Sequence, residues 1–501
     1  MTSVVCVIDA GTTGVRCGLV DEQGRVRAQA TRDLTIEHPA PGHAEQSLDE
    51  LWQVAGETLR ELSTLAISRR WRIEAATIAA QRASIAALDR RGRPLTPLLL
   101  WMDQRGGDAV RAFESRVPPA EYAAVTGIPL SPMPGLASLL WLRDRHPGVF
   151  AAACRFVGVQ EWLVANLTGG PPLVDESCAS WVGLFDLAGR RWSEPLLAEV
   201  GLTTDRLPEI ALATGRAGAV TDTAATVTGL PTGTPVYLGG GDQQCSSAGG
   251  GGIQPGAATI NLGTSATFVF PVADAGRLMT GFVRAAHVAE GLTSVEGTIP
   301  ACGSVFRWLR SLLRYPGGDE GYRVMMAEAE PAPPDGGGIL FVPTMAGLGT
   351  PRWIPGTGTM EDLDFTHGAP ALVGGAMVGI ALQAREVLEA LPSALRAARP
   401  LTAIGGGARS PLLCQVLADV TGVAVNVLEG DPQTAPLRGA AMCAWVGAGR
   451  HSSLHDALSD LPVARTHTPD RSYAAGYAAA YERYLTQTGF GLPQKTALNE
   501  E

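Results

Sequence analysis

An apolar, largely β-branched run at residues 4–8 gives way to a polar, glycine-bearing stretch at 9–14, and the apolar pattern resumes at 15–20. That order predicts strand, turn, strand, with Gly24 closing a second hairpin onto Val26. Apolar residues recur at helical spacing over 48–67, short apolar runs flank residues 81–84 within 75–88, and 138–142 with 161–167 add helical material. A second strand, turn, strand unit follows at 258–262, Gly263-Thr264-Ser265 and 266–270. Both units set a Gly-Thr-(Thr/Ser) turn between β-type runs, a weak internal repeat. Between them, residues 231–241 (PTGTPVYLGGG) read as a turn and a strand ending in a flexible corner. The domain boundary is expected there, with an N-terminal domain over 1–240, a C-terminal domain over 241–488 and a frayed tail over 489–501. Farther on, the pattern predicts a long helix over 371–398, a short strand at 401–404 running into Gly405-Gly406-Gly407, and a helix over 411–420.

Composition narrows what such a chain can do. Its 501 residues fit two or three domains. With 46% hydrophobic and 18% charged residues the chain folds, and its 61 glycines, with no G-X-Y period, belong at turns and close approaches. Lys495, in the tail, is the only lysine, so 38 of the 39 basic residues are arginine. That excludes Walker A kinases, protein kinases, PLP enzymes and Schiff-base aldolases, each of which needs a lysine inside its fold. A formal net charge of -10 argues against nucleic-acid or anionic-membrane partners, which demand a basic surface. The eight cysteines are scattered without a C-x-x-C and read as buried free thiols of a reducing cytosol. The N-terminus has neither the basic segment nor the apolar length of a signal peptide. The longest apolar stretch, 369–382, contains Pro370 and is too short to span a bilayer. A cytoplasmic protein is expected.

Four segments carry candidate chemistry. The turn Asp9-Ala10-Gly11-Thr12-Thr13-Gly14, followed by Arg16, combines glycine-freed N–H groups, two hydroxyls and a strand-end carboxylate. A nucleotide polyphosphate with Mg²⁺ needs such groups, although an ordinary hairpin turn has the same composition. Gly239-Gly240-Gly241-Asp242-Gln243-Gln244 presents a carboxylate at the interdomain corner, as a general base or as a solvated turn residue. Gly263-Thr264-Ser265 mirrors the first turn, and Gly405-Gly406-Gly407-Ala408-Arg409-Ser410 forms a strand-to-helix junction suited to a nucleotide lying against backbone. Their order describes one two-lobed ATP site.

In that order, DAGTTGVR, GGGDQQ, NLGTS and GGGARSPLLCQVLADVTG resemble the FGGY family of carbohydrate kinases, and so do GHAEQSLDELW, LLLWMDQR, WVGLFD, EGTIPACGSVFRWLR and FVPTMAGLGTPRW. The resemblance runs from Val4 to about Arg483. It implies an α/β, duplicated actin/Hsp70-like (ribonuclease H-like) two-domain fold with the active site in the interdomain cleft. It also implies ATP and Mg²⁺, with Asp242 as the base and Asp9 and Asp242 near the metal. Thr12, Thr13, Arg16 and Thr264 match phosphate-side positions, and Gly303, Gly406 and Ser410 nucleotide positions. A small sugar or polyol would meet Arg82, Asp103, Asp242 and Gln243. A homodimer is among the expected states.

Departures from the family pattern concentrate in the acceptor pocket. Glycerol kinases carry an Arg-Glu pair and a later Tyr, whereas this chain has Ala83 after Arg82 and Met133 at the Tyr position. The Met-His-Gly of xylulokinases is replaced by Gln81-Arg82-Ala83, the usual Lys before Trp141 by Ser138, and the late Ala-Leu-Gly-Ala by Pro436-Leu437-Arg438-Gly439-Ala440. A ketopentose of the xylulose type is the favoured acceptor, a short polyol such as glycerol the alternative, and an actin/Hsp70-like ATPase without a sugar acceptor the reading from another class. Arg82 is expected to contact the acceptor, against the alternative of a structural pair with Asp103.

Overall fold

The run that opens the chain is buried almost from end to end, which places it in the middle of a sheet. The computed structural model describes residues 2–273, 279–329, 338–396, 400–458 and 460–489. In the first lobe, β1 (Ser3–Ala10), β2 (Gly14–Asp21), β3 (Val26–Asp33), β4 (Arg72–Ala80), β5 (Arg216–Ala219) and β6 (Pro235–Gly241) form one sheet in the order β5-β6-β4-β1-β2-β3. β3 alternates half-buried and exposed residues along its length, as an edge strand with one solvated face does. In the second lobe, β7 (Thr259–Leu262), β8 (Ala266–Val272), β9 (Val283–Ala286), β10 (Thr293–Ile299), β11 (Leu401–Ile404), β12 (Val425–Leu428) and β13 (Val463–His467) follow the order β9-β10-β8-β7-β11-β12-β13.

The two sheets repeat one pattern of strand pairing, though the edge strand precedes its neighbour in the first copy and follows it in the second. Reading β3-β2-β1-β4-β6-β5 against β10-β8-β7-β11-β12-β13, each pairing matches: antiparallel, antiparallel, parallel, parallel, antiparallel. The short turn echo is therefore the sequence trace of a duplicated unit, the actin/ribonuclease H-like arrangement. β9 is an addition to the second copy.

The helices follow their local signals. α1 (Leu48–Ser68) starts at Ser47, whose hydroxyl accepts from the Glu50 N–H, and buries Leu48, Leu51, Leu59 and Leu62 on one face. α2 (Glu176–Ser180) and α3 (Asp242–Gly249) lie at the ends of strands beside the cleft, and α4 (Gly303–Leu312) follows the second hairpin. The predicted helix over 371–398 is shorter than its pattern: α5 spans Ala369–Glu389, and a separate turn occupies Ser393–Arg396. Pro392 lies at the break, since its ring clashes with the preceding turn and it has no N–H for the ladder. Residues 397–399, like 490–501 of the expected tail, lie outside the described residues. At 21 residues α5 is long and apolar enough to cross a membrane, so the length argument made from 369–382 does not hold; 72% of its most apolar window is buried in the second-lobe core, as in a core helix. α6 (Pro411–Thr421) and α7 (Ala435–Gly447) complete the second lobe. All eight cysteines are free thiols, and seven are buried.

α7 binds the lobes together. It packs on β1, β4 and β6 of the first sheet, in a cluster that joins Val5, Val7, Ala75 and Ala79 to Leu437, Ala440, Ala441 and Trp445. This shared core sits beneath the cleft, and the strand ends that open onto the cleft carry the motif residues.

Candidate active site

Three strand ends converge on the cleft. At the first, Asp9 and Arg16 face each other across the β1/β2 pair, so a salt bridge is built into the register: Arg16 Nη2 lies 2.5 Å from Asp9 Oδ2. The intervening turn is closed by the Gly11 N–H donating to the Gly14 carbonyl, with Thr13 exposed at its tip. Thr12 is held from behind. Its hydroxyl donates to Gln81 Oε1 at 3.0 Å and accepts from Trp101 Nε1 at 2.9 Å, while Gln46 reaches from the Thr12 carbonyl to Gln81. Burial pushes the Asp9 carboxyl up against the pull of Arg16.

At the second, β6 ends in three glycines and passes directly into α3, whose first residue is Asp242. A Cβ at Gly241 would lie 2.6 Å from Arg82 Cδ, so any side chain there would displace Arg82. Asp242 keeps 31% of its side chain open, and its Oδ1 accepts from the Gln243 N–H. Its pKa is pushed up to about 6, first by burial and then by the neighbouring Asp9 and Glu296 charges, against the lowering effect of Arg82. The N–H of Gly241 donates to Ser177 Oγ at 2.8 Å, and Ser177 Oγ donates to the fully buried Asp175 at 2.5 Å, so α2 braces the strand end that carries Asp242.

At the third, the mirrored hairpin leaves Thr264 exposed at its tip. Gly303, at the start of α4, donates its N–H to the Gly263 carbonyl at 2.9 Å, which fixes the helix against this turn. Gly406 lines a cavity of about 190 Å³ together with Arg16, Ser246, Asn261, Gly405 and Gln433. Phosphate-turn Arg16 and glycine-corner Gly406, 390 positions apart in the sequence, thus share one wall. Ser410 caps α6, its hydroxyl accepting from the Leu413 N–H, and Arg409 pairs with Asp431. Gln243 is tied to this side as well, its amide oxygen accepting from Asn261 Nδ2 at 3.1 Å.

The alternative of a structural Arg82–Asp103 pair does not form. Asp103 is buried and committed to Arg105 and to the Ala44 N–H, at 2.8 and 2.7 Å. Arg82 pairs instead with Glu296 on β10 of the other lobe, through Nη1 at 3.2 Å and Nη2 at 3.3 Å. Its guanidinium lies over the Trp181 ring, and its Nε is 3.8 Å from Asp242 Oδ1. Gln244 Nε2 donates to the same Glu296 at 2.5 Å. Sequence reasoning assigned no role to Glu296, Gln244, Trp181 or Ser177. The segments EGTIP, GGGDQQ and WVGLFD held the first three, but nothing local marks a partner 214 residues away. Ala83, next to Arg82, is buried with φ 66°, a left-handed turn that takes the chain out of β4 and leaves only a methyl group at this position.

With Asp242 as the expected base, a carboxyl pushed up to about 6 would make the rate depend on pH. The ionised carboxylate accepts the proton, so kcat/KM for the acceptor should rise with pH through an acid limb near 6 and then level off. A profile flat down to pH 4.5, measured at saturating nucleotide, would show that another group limits the rate.

The N-terminal domain of the FGGY family of carbohydrate kinases matches residues 4–249, and its C-terminal domain matches residues 258–448. A xylulose kinase of Escherichia coli (strain K12) is 28% identical over 485 residues, covering 95% of this chain and 97% of that protein. A glycerol kinase of Methylibium petroleiphilum is 30% identical over 501 residues, covering 96% and 98%. The crystal structure of a xylulose kinase from Rhodospirillum rubrum superposes with a TM-score of 0.86 at 28% identity, covering 97% of this chain and 98% of that one. The chain belongs to the FGGY family of carbohydrate kinases and is an ATP-using kinase of sugars or polyols.

Proposed function

We propose that the protein transfers the γ-phosphoryl group of ATP to a terminal hydroxyl of a ketopentose of the xylulose type, with Asp242 as the base. The observation that carries the base is the open side of its carboxylate: beyond the Gln243 N–H that orients it, Asp242 is open to the cleft, lies beside Arg82 without closing a hydrogen bond to it, and starts a helix in the corner between lobes. An acceptor hydroxyl set beside both, off the line joining them, can donate to Asp242 while accepting from Arg82 Nε. Phosphoryl transfer leaves the protein mostly positioning and charge stabilisation to do. Asp242 takes the hydroxyl proton, Thr12, Thr13, Arg16 and Thr264 flank the phosphates, and Gly303, Gly406 and Ser410 border the nucleotide.

Mg²⁺ fits this donor set. Asp9 and Asp242 raise the local negative charge from the ends of β1 and β6, which flank β4, and a cation held by one or two carboxylates plus phosphate oxygens is the usual Mg²⁺ arrangement. When bound, it would neutralise charge on the transferring group. Asp9 then has to share its carboxylate with Arg16, which lines the same cavity. The boundary between the two domains is taken at 240/241, one residue before the base, so that closure about this corner excludes water as a competing acceptor. The free, mostly buried cysteines and the acidic net charge support a cytosolic enzyme of small solutes, without a nucleic-acid or membrane partner.

Preference for a ketopentose rests on the acceptor side, where Ala83 and Met133 replace the two polar residues glycerol kinases present. A small triol would enter with hydroxyls unpaired. The relatives include glycerol kinases, so a short-polyol kinase is the second reading. A coupled ADP assay across ketopentoses, aldoses, glycerol and longer polyols separates them: the highest kcat/KM should fall on a ketopentose and a low value on glycerol. Glycerol at the top of the panel would overturn the preference.

A further inference from the structure

Glu296 is 4% exposed and holds three donors at once. Its two carboxylate oxygens take Nη1 and Nη2 of Arg82 from the first lobe, and Oε1 also takes Nε2 of Gln244, two residues beyond the base on α3. The guanidinium is thereby oriented with both terminal nitrogens away from Asp242, and its Nε stops 3.8 Å short of Asp242 Oδ1. Trp181 under the guanidinium limits its movement on one face. Bidentate carboxylate pairing is the strongest arrangement available to an arginine. Without Glu296, the nearest carboxylate able to offer it is Asp242. An Arg82 closed onto Asp242 would occupy the lone pairs that must receive the hydroxyl proton.

We propose that Glu296 is a positioning residue for the acceptor, a carboxylate of the second lobe that holds Arg82 off the base and leaves its Nε for the acceptor hydroxyl. The proposal rests on the reading of Asp242 as base and Arg82 as acceptor contact.

The test is a cycle of Glu296→Gln, Arg82→Ala and the double variant, with kcat, acceptor KM and ATP KM measured on the best acceptor of the panel. Glu296→Gln should raise the acceptor KM and lower kcat, together cutting kcat/KM by about tenfold or more, with the ATP KM within about twofold of the parent. Arg82→Ala should cut the same ratio by at least as much. It leaves a buried carboxylate without its cation, so its thermal midpoint should fall too, and the double variant should recover part of that loss. Since Glu296 acts through Arg82, adding Glu296→Gln to Arg82→Ala should cost nothing further in kcat/KM. A merely structural Glu296 would impose its loss in both backgrounds. If Glu296→Gln alone does not fold, the double variant against Arg82→Ala decides: equal kcat/KM supports the proposal and a further tenfold loss overturns it. Parent-like kinetics for Glu296→Gln beside a crippled Arg82→Ala overturns the proposal alone, whereas a parent-like Arg82→Ala overturns the reading of Arg82 and the proposal together.

Discussion

Replacing Asp242 with asparagine is expected to lower kcat by about 10² to 10⁴, the usual cost of losing a general base. Asparagine keeps the volume and can still accept the Gln243 N–H that orients the side chain. It cannot take a proton from the acceptor hydroxyl at neutral pH. Nucleotide should still bind, because the cavity shared by Arg16, Asn261, Gly405 and Gly406 does not include this side chain. The pH dependence should change as well, with the limb near 6 disappearing along with the group that titrates there. An asparagine variant with near-parental turnover would remove Asp242 from the chemistry.

Gly439→Ala should have the largest effect on stability. α3 and α7 cross so closely that a Cβ on Gly439 would lie 1.9 Å from the Cys245 carbonyl oxygen and 2.9 Å from the Gly249 nitrogen. Both are backbone atoms of α3, so no rotamer change relieves the contact. The helices have to separate, and α7 is the element that carries the core shared between lobes. Overpacking costs about 1 to 3 kcal/mol where side chains can adjust, and more is expected against backbone. Because α3 begins with Asp242, the displacement also moves the base, and turnover should fall together with the thermal midpoint. Gly148→Ala is the control. Nothing lies within 4 Å of a Cβ at Gly148, and the position is helical, so that variant should match or slightly exceed the parent in midpoint. Equal midpoints for the two variants would contradict the close crossing.

Local pattern carried the strands at 4–8 and 15–20, since β-branched runs around a glycine turn have few other solutions, and it carried the second hairpin for the same reason. The duplication was visible only as a shared Gly-Thr turn, because strand order and parallelism are long-range properties that leave little trace in either hairpin. α7 went unread: Ala, Gly and Pro dominate it and it is buried on most faces, so no helical stripe separates core from solvent. The overlong helix at 371–398 came from giving apolar spacing more weight than Pro392. In the site, motif order brought Asp9, Arg16, Asp242, Thr264 and Gly406 to one cleft, and the structure has their strand ends there. The partner of Arg82 was not legible. Asp103 is near it in sequence and chemically suitable, yet Arg105 takes that carboxylate, and Glu296 reaches Arg82 only because the lobes close on each other.

Acceptor-dependent stoichiometry tests direct phosphoryl transfer most closely. ADP and phosphorylated sugar are quantified in the same reaction, with and without the best acceptor of the panel, in the parent and in the Asp242→Asn variant. One phosphate ester per ADP is expected, with ADP production near background when acceptor is omitted and a matching fall in both products for the variant. ADP released at the full rate without acceptor, and undiminished in Asp242→Asn, would mean an actin/Hsp70-like ATPase in place of a sugar kinase.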